Sequence, residues 1–164
     1  SGVASWIVNK KDQKKEQQQG KEQEQENKNK HNLPEKERKI MNKVLRVVVI
    51  LPAILFIVTG LRWLVDPTAA AAALGMPLLD GIGRSSQIGD VGGFFLAGGI
   101  MVLLGVITGK RAWFQAPALL LMTIAIFRLL AWLLHGAALA TPMIAVEVVL
   151  TVLFVFAASR LAKD

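Results

Sequence analysis

The sequence contains no cysteine and only two histidines, His31 and His135. Without thiols the chain can form no disulfide, no thiolate metal site and no cysteine nucleophile. Two histidines alone cannot build a zinc site, which normally needs three or four ligands. The sequence also offers no nucleophile and base constellation and no dinucleotide fingerprint following a strand. We therefore expect neither an enzyme nor a resident metal or cofactor.

Charged residues are scarce in four long apolar runs. Apolar residues make up 53% of the chain, above the roughly 45–50% of soluble domains. A helix of about 20 residues spans a hydrocarbon core of about 30 Å. The runs therefore predict an all-α, four-helix, up-and-down transmembrane bundle embedded in the lipid bilayer, with spans at 44–65, 88–108, 113–134 and 142–159.

The first forty residues lack the apolar surface that a folded core needs. Residues 9–39 are almost entirely Lys, Glu, Gln and Asn, so we expect 1–40 to be a disordered polar extension and 41–164 the transmembrane domain. A lysine- and glutamate-rich helix is the alternative for this stretch. Interleaved acids and missing aromatics disfavour a nucleic-acid partner. Because Met41 directly precedes the first span, we also expect 1–40 to lie outside the functional domain.

A short helix is predicted between the first two spans. Asp66 suits the N-cap, Pro67 the first helical position and Gly75 the C-terminal stop. This helix should lie at the membrane interface. Residues 78–86 are expected to form a glycine-containing loop.

The distribution of lysine and arginine predicts the orientation of the bundle. Lys110 and Arg111 form a basic turn, and Arg160 and Lys163 follow the last span, whereas the 135–141 turn has no basic residue other than His135. By the positive-inside rule both termini should be cytoplasmic. We expect a multi-pass protein of the bacterial inner membrane.

Arg128 and Glu147 are the two charges farthest from the ends of the last two spans. At a rise of about 1.5 Å per residue, Arg128 lies about 9 Å inside one face of the membrane and Glu147 about 7.5 Å inside the same face. The short turn between the spans makes them antiparallel neighbours. Because an unpaired charge in hydrocarbon is costly, the sequence predicts an ion pair between these two side chains.

The same half of the bundle should contain two further charges, Arg62 and Asp90. Trp132 and His135 follow Arg128 at helical spacing and are expected on its face. These six residues form the predicted charge cluster: Arg62, Asp90, Arg128, Trp132, His135 and Glu147. Two interpretations remain open. One is structural ion pairs between helices; the other is a functional site, either an outward-facing pocket for a small polar or amphipathic ligand or a proton-linked step at Glu147.

Small residues recur at intervals of four in the second span. Gly89, Gly93 and Ala97 form a row that would let another helix approach closely. We expect this row to pack helices together. A homo-oligomer or a membrane protein partner would be consistent with such a surface.

Several ordered features resemble a known family. They are Gly60-Leu61, Pro67, Leu74-Gly75, Gly92-Gly93, Arg128, His135-Gly136 and Glu147. Together, over about residues 41–158, they resemble the short bacterial four-helix integral membrane proteins grouped as domain of unknown function 4345. The resemblance implies the same fold and the same location in the membrane. That family has no established activity, so the resemblance does not indicate one for this chain. On the residues themselves we expect an accessory or interaction subunit, with a small transporter or ligand-binding membrane protein as the alternative.

Overall fold

The computed structural model describes Lys21 and residues 35–163. This part of the chain is helical and has no β-strand, so the all-α prediction is confirmed. The helices are α1 (Glu35–Val65), α2 (Pro67–Ala73), α3 (Gly81–Ser86), α4 (Gly93–Thr108), α5 (Ala112–His135) and α6 (Thr141–Leu161). A π-helical segment, Gln87–Gly92, joins α3 to α4 without a break.

In the described part of the chain, four helices are long and apolar enough to cross a membrane. They are α1, the continuous α3–α4 helix (Gly81–Thr108), α5 and α6. Only 22% to 28% of each most apolar stretch is buried inside the chain, so most large apolar side chains lie on the outside of the bundle. A surface of this kind suits lipid and not water. The chain is a multi-pass membrane protein with an all-α four-helix bundle.

The first helix begins before the predicted domain boundary. Residues 35–40 are helical and continue into the first span, and Lys39 pairs with Glu35 at 2.6 Å one turn earlier. This i, i+4 pair is the kind of contact that a lysine- and glutamate-rich helix provides. Apart from Lys21 and residues 35–40, the predicted disordered extension lies outside the described residues.

The connection between α1 and the second span contains more helix than predicted. The α2 helix has the expected caps: Asp66 Oδ1 accepts a hydrogen bond from Ala69 N at 3.0 Å, and Gly75 follows with a φ of +72°. The loop predicted at 78–86 is wrong, because α3 occupies most of it. Arg84 Nη2 donates to Asp80 Oδ1 at 2.6 Å one turn back, which stabilises this short helix.

Glycines allow a close approach between α1 and α4. A Cβ atom at Gly60 would lie 2.6 Å from Leu96 N, and one at Gly99 would lie 2.6 Å from Ala53 O. Because no side chain fits at either position, the two backbones can approach closely. The face of the continuous α3–α4 helix that packs against α1 therefore passes through Gly92, Leu96 and Gly99.

The predicted packing row Gly89, Gly93 and Ala97 does not pack inside the chain. All three residues are exposed, and a Cβ atom at Gly89 or Gly93 would meet nothing within 4 Å. Packing of this row against a helix of another chain stays a prediction. The row lies on the outer surface of the bundle.

The bundle differs between its two ends. At one end, here called the basic end, Lys163 N donates to Gly109 O at 2.9 Å and ties the end of the chain to the α4–α5 turn. Large side chains fill the interior near this end, including Val49, Phe114 and Phe154, all fully buried. The opposite end, here called the distal end, carries α2 and the 136–140 turn. There Trp63 packs under α2 in a second, smaller core.

Candidate functional site

Arg128 and Glu147 meet across the α5–α6 hairpin. Arg128 Nε donates to Glu147 Oε1 at 2.8 Å, so the ion pair predicted from depth is confirmed. The short 136–140 turn makes α5 and α6 antiparallel neighbours, and fixed helical rise then brings the two positions to one level. Thr151, one turn after Glu147, donates to the Glu147 carbonyl at 2.7 Å and is also buried.

The second carboxylate oxygen of Glu147 has no partner. The Glu147 side chain is 10% exposed, against 34% for Arg128, and Oε2 makes no hydrogen bond to any described residue. A buried acceptor without a partner costs about 1–3 kcal/mol, and more when it is charged. Since native structures rarely leave such a group unsatisfied, this oxygen marks a position where a further donor would be stabilising.

A cavity of about 660 Å³ opens beside the ion pair in the distal half of the bundle. Its walls come from α1, the α2 region, the π-helical segment, α4, α5 and α6, and most of them are apolar. A volume of this size is typical of sites for small molecules. Among the described residues, three charged side chains line it: Asp90, Arg128 and Glu147. The cavity is therefore amphipathic, with a few polar groups on an otherwise apolar surface.

Three phenylalanines form a connected cluster in the cavity wall. Phe56 on α1 lies edge-on to Phe95 with ring centroids 5.3 Å apart, and Phe94 lies 5.4 Å from Phe95. All three line the cavity. Their contacts fix the rings and leave an aromatic wall that suits an alkyl or aryl group. Sequence reasoning missed these residues, although the Phe94-Phe95 pair one turn after Asp90 is a visible signal.

Asp90 lies within the π-helical segment at the cavity. Its side chain is exposed and forms no ion pair with any other residue in the described part of the chain. Single-turn π-helical segments in longer helices occur frequently at functional sites. Gln87, at the start of the same segment, accepts a hydrogen bond from Leu79 N at 2.8 Å and donates to Pro77 O at 3.0 Å. These contacts hold the 76–79 connection against the helix that carries Asp90.

Three members of the predicted charge cluster lie outside the cavity. Arg62 is exposed because the packed face of α1 passes through Phe56, Gly60 and Trp63. Trp132 and His135 follow Arg128 on α5, but no residue of α5 after Ala125 is buried, so both lie beyond the last packed layer. None of the three lines the cavity. The observed site therefore contains Asp90, Arg128 and Glu147 from the six predicted residues.

The polar side chains at the cavity are better suited to binding an organic molecule than to coordinating a metal ion. In the described part of the chain no three His, Asp or Glu side chains lie close enough together to hold a metal ion. The two carboxylates that line the cavity, those of Asp90 and Glu147, are too few for a hard metal ion, which takes six or more oxygen ligands, and Glu147 already accepts a hydrogen bond from Arg128. The arrangement can orient the polar group of an organic molecule.

No family model, curated protein or solved structure matches this chain. The resemblance to the four-helix family of unknown function stays a prediction. The geometry of the cavity is thus the principal guide to what the protein does.

Proposed function

We propose that this multi-pass membrane protein binds a small amphipathic molecule in the distal cavity, with the polar group of the ligand at Glu147. The Glu147 side chain carries this proposal, because it is nine-tenths buried, has one carboxylate oxygen without a hydrogen-bond partner among the described residues, and lines a cavity of about 660 Å³. A structural ion pair alone needs no adjacent cavity, and replacing such a pair by apolar residues is often neutral or stabilising. Binding and transport both require a site of this kind, and the binding step is the part that the cavity supports.

The distribution of basic residues supports a proposal for the location and orientation of the protein. We place the protein in a bacterial inner membrane with both termini cytoplasmic. Support comes from the clustering of Lys110, Arg111 and Lys163 at the basic end, where the 109–111 turn and the end of the chain meet. The cavity then opens in the half of the bundle nearer the outside of the cell.

A cavity-filling substitution tests binding without identifying the ligand beforehand. Thr59 lines the cavity, whereas the adjacent Val58 does not and is 56% exposed on the outside of α1. Thr59→Trp should remove a non-covalent small-molecule adduct that copurifies with the protein. Val58→Trp adds the same indole to the lipid-facing surface and should leave the adduct in place.

Native mass spectrometry of the gently solubilised protein reads this out directly. The expected result is a bound small molecule on the unmodified chain and on Val58→Trp, with at least a tenfold lower occupancy on Thr59→Trp. Equal occupancy of any adduct on all three proteins, or no adduct on any, would refute the proposal.

A second candidate function is an accessory or interaction subunit. The exposed row of Gly89, Gly93 and Ala97 favours it, because nothing inside the chain covers these residues. The same spectra bear on this candidate. A homo-oligomer or stoichiometric protein partner that is lost on Gly93→Leu, and retained when the exposed Ala145 of α6 is changed to Leu, would support it.

A further inference from the structure

The charges that line the cavity do not balance. Asp90 and Glu147 contribute two carboxylates and Arg128 contributes one guanidinium, which leaves one negative charge. The Arg128 charge is already engaged by Glu147 at 2.8 Å, so the surplus is associated with Asp90. In a largely apolar cavity within a membrane, an occupant that carries one positive charge would neutralise it. An anionic occupant would face two carboxylates and only one cation.

We propose that the occupant is a lipophilic amine in its protonated form, with one positive charge and at least one N–H group. This inference rests on the proposed function, that the cavity binds an amphipathic molecule. The N–H group would donate to the Glu147 carboxylate, whose Oε2 has no partner of its own. Because the last side-chain torsion of a glutamate is soft, the carboxylate can turn to meet a donor from the cavity.

The requirement for an N–H group follows from Glu147. A quaternary ammonium carries the same charge but has no hydrogen to donate, so it would leave Oε2 unsatisfied. A hydroxyl group can donate but does not neutralise the surplus charge. A protonated amine supplies both a positive charge for the cavity and an N–H donor for Glu147.

The apolar walls define the rest of the molecule. Phe56, Phe94 and Phe95 present aromatic surface together with aliphatic side chains such as Leu121 and Leu150. Aromatic faces attract organic cations and repel anions, so this wall is compatible with an ammonium group as well as with an alkyl or aryl body. An amine attached to a short hydrocarbon chain fits both parts of the cavity.

Four probes with one hydrocarbon body separate these requirements. They are phenylbutylamine, its trimethylammonium derivative, phenylbutanol and phenylbutyrate. Isothermal titration calorimetry on the full chain in phosphatidylcholine nanodiscs, corrected with empty nanodiscs, gives the dissociation constants. We expect the amine to bind about tenfold or more tightly than the trimethylammonium and alcohol probes, the size of one charge-assisted hydrogen bond. Phenylbutyrate should show no saturable binding.

Two matched variants tie the preference to the cavity charge. Asp90→Asn removes the surplus carboxylate and should weaken amine binding several-fold. The difference between the dissociation constants of the amine and the alcohol should then become smaller. Asp80→Asn removes a carboxylate at the same end of the bundle that pairs with Arg84 and does not line the cavity, so it should leave amine binding unchanged. An effect of equal size for both variants would overturn the role of Asp90.

The outcomes distinguish this inference from the proposed function. If the alcohol or the carboxylate binds as tightly as the amine, and Thr59→Trp abolishes that binding, the cavity binds amphipathic molecules and the amine requirement is wrong. Equal affinity for the amine and its trimethylammonium derivative overturns the N–H requirement. Failure of every probe to bind, together with no adduct sensitive to Thr59→Trp, would defeat both proposals.

The same ammonium chemistry is available from a free amine and from the headgroup of an ethanolamine lipid. Repeating the titration in nanodiscs that contain phosphatidylethanolamine separates the sources. Weaker apparent binding of phenylbutylamine than in phosphatidylcholine identifies the lipid headgroup as a competing occupant. Unchanged affinity identifies a free amine.

Discussion

At the scale of single residues, the two oxygens of Glu147 have different surroundings. Oε1 accepts from Arg128 Nε at 2.8 Å, whereas Oε2 is buried without a partner. Arg128 is the more exposed member of the pair, so its guanidinium can also reach the cavity or the bilayer surface. The ion pair therefore holds Glu147 in place while leaving part of its hydrogen-bonding capacity free.

A double-mutant cycle measures how much the ion pair between Arg128 and Glu147 contributes to the free energy of unfolding. Arg128→Leu should lower the free energy of unfolding by roughly 3 kcal/mol, because it leaves the buried Glu147 carboxylate unpaired. Glu147→Leu should lower it by less, because the partly exposed Arg128 can extend to the bilayer surface. The double change should cost less than the sum of the two by about 1–2 kcal/mol. Thermal or denaturant unfolding in nanodiscs gives the three values. Additive losses would mean that the pair contributes no coupling energy.

The sequence was sufficient to predict this ion pair but not the rest of the site. Depth in a helix follows from residue number, since the rise per residue is fixed. Trp132 and His135 follow Arg128 at helical spacing but do not line the cavity. Helical spacing alone does not show how far the packed part of the facing helix extends, and α6 has no buried residue before Glu147. Asp90 was identified, but its surroundings depend on a π-helical segment that the residue pattern did not reveal.

At the scale of helices, the glycines of the second span divide into two faces. Gly92 and Gly99 lie against α1, whereas Gly89 and Gly93 face outwards. The pattern of small residues did not separate the face that packs inside the chain from the face that remains exposed. Packing of the Gly89, Gly93 and Ala97 row against another chain stays a prediction.

A pair of alanine substitutions distinguishes the two faces. Gly99→Ala would place a Cβ atom 2.6 Å from the Ala53 carbonyl oxygen, whereas Gly93→Ala meets no atom of the chain within 4 Å. We expect Gly99→Ala to lower the free energy of unfolding by about 1–3 kcal/mol through overpacking. Gly93→Ala should leave it unchanged or raise it by up to about 1 kcal/mol, because alanine favours helix. Unfolding in nanodiscs measures both, and equal losses would contradict the assigned packing face.

At the scale of the whole molecule, the bundle is packed at one end and open at the other. Val49, Phe114 and Phe154 fill the interior near the basic end, whereas the 660 Å³ cavity occupies the distal half. The number and order of the long helices followed directly from four apolar runs. The cavity did not, because it depends on how side chains of several helices meet, and no local pattern in one helix encodes that.

The orientation of this asymmetric bundle in the membrane decides which compartment supplies the ligand. The chain has no cysteine, so a single introduced thiol is the only target for a maleimide. Leu139, 43% exposed, lies in the distal 136–140 turn, and Lys163 is exposed at the basic end. With the basic end cytoplasmic, Leu139→Cys should react with a membrane-impermeant maleimide on intact spheroplasts. Lys163→Cys should react only after permeabilisation, and the cysteine-free chain should not react at all. The reverse pattern would place the cavity nearer the cytoplasm, so that its amine would have to come from inside the cell.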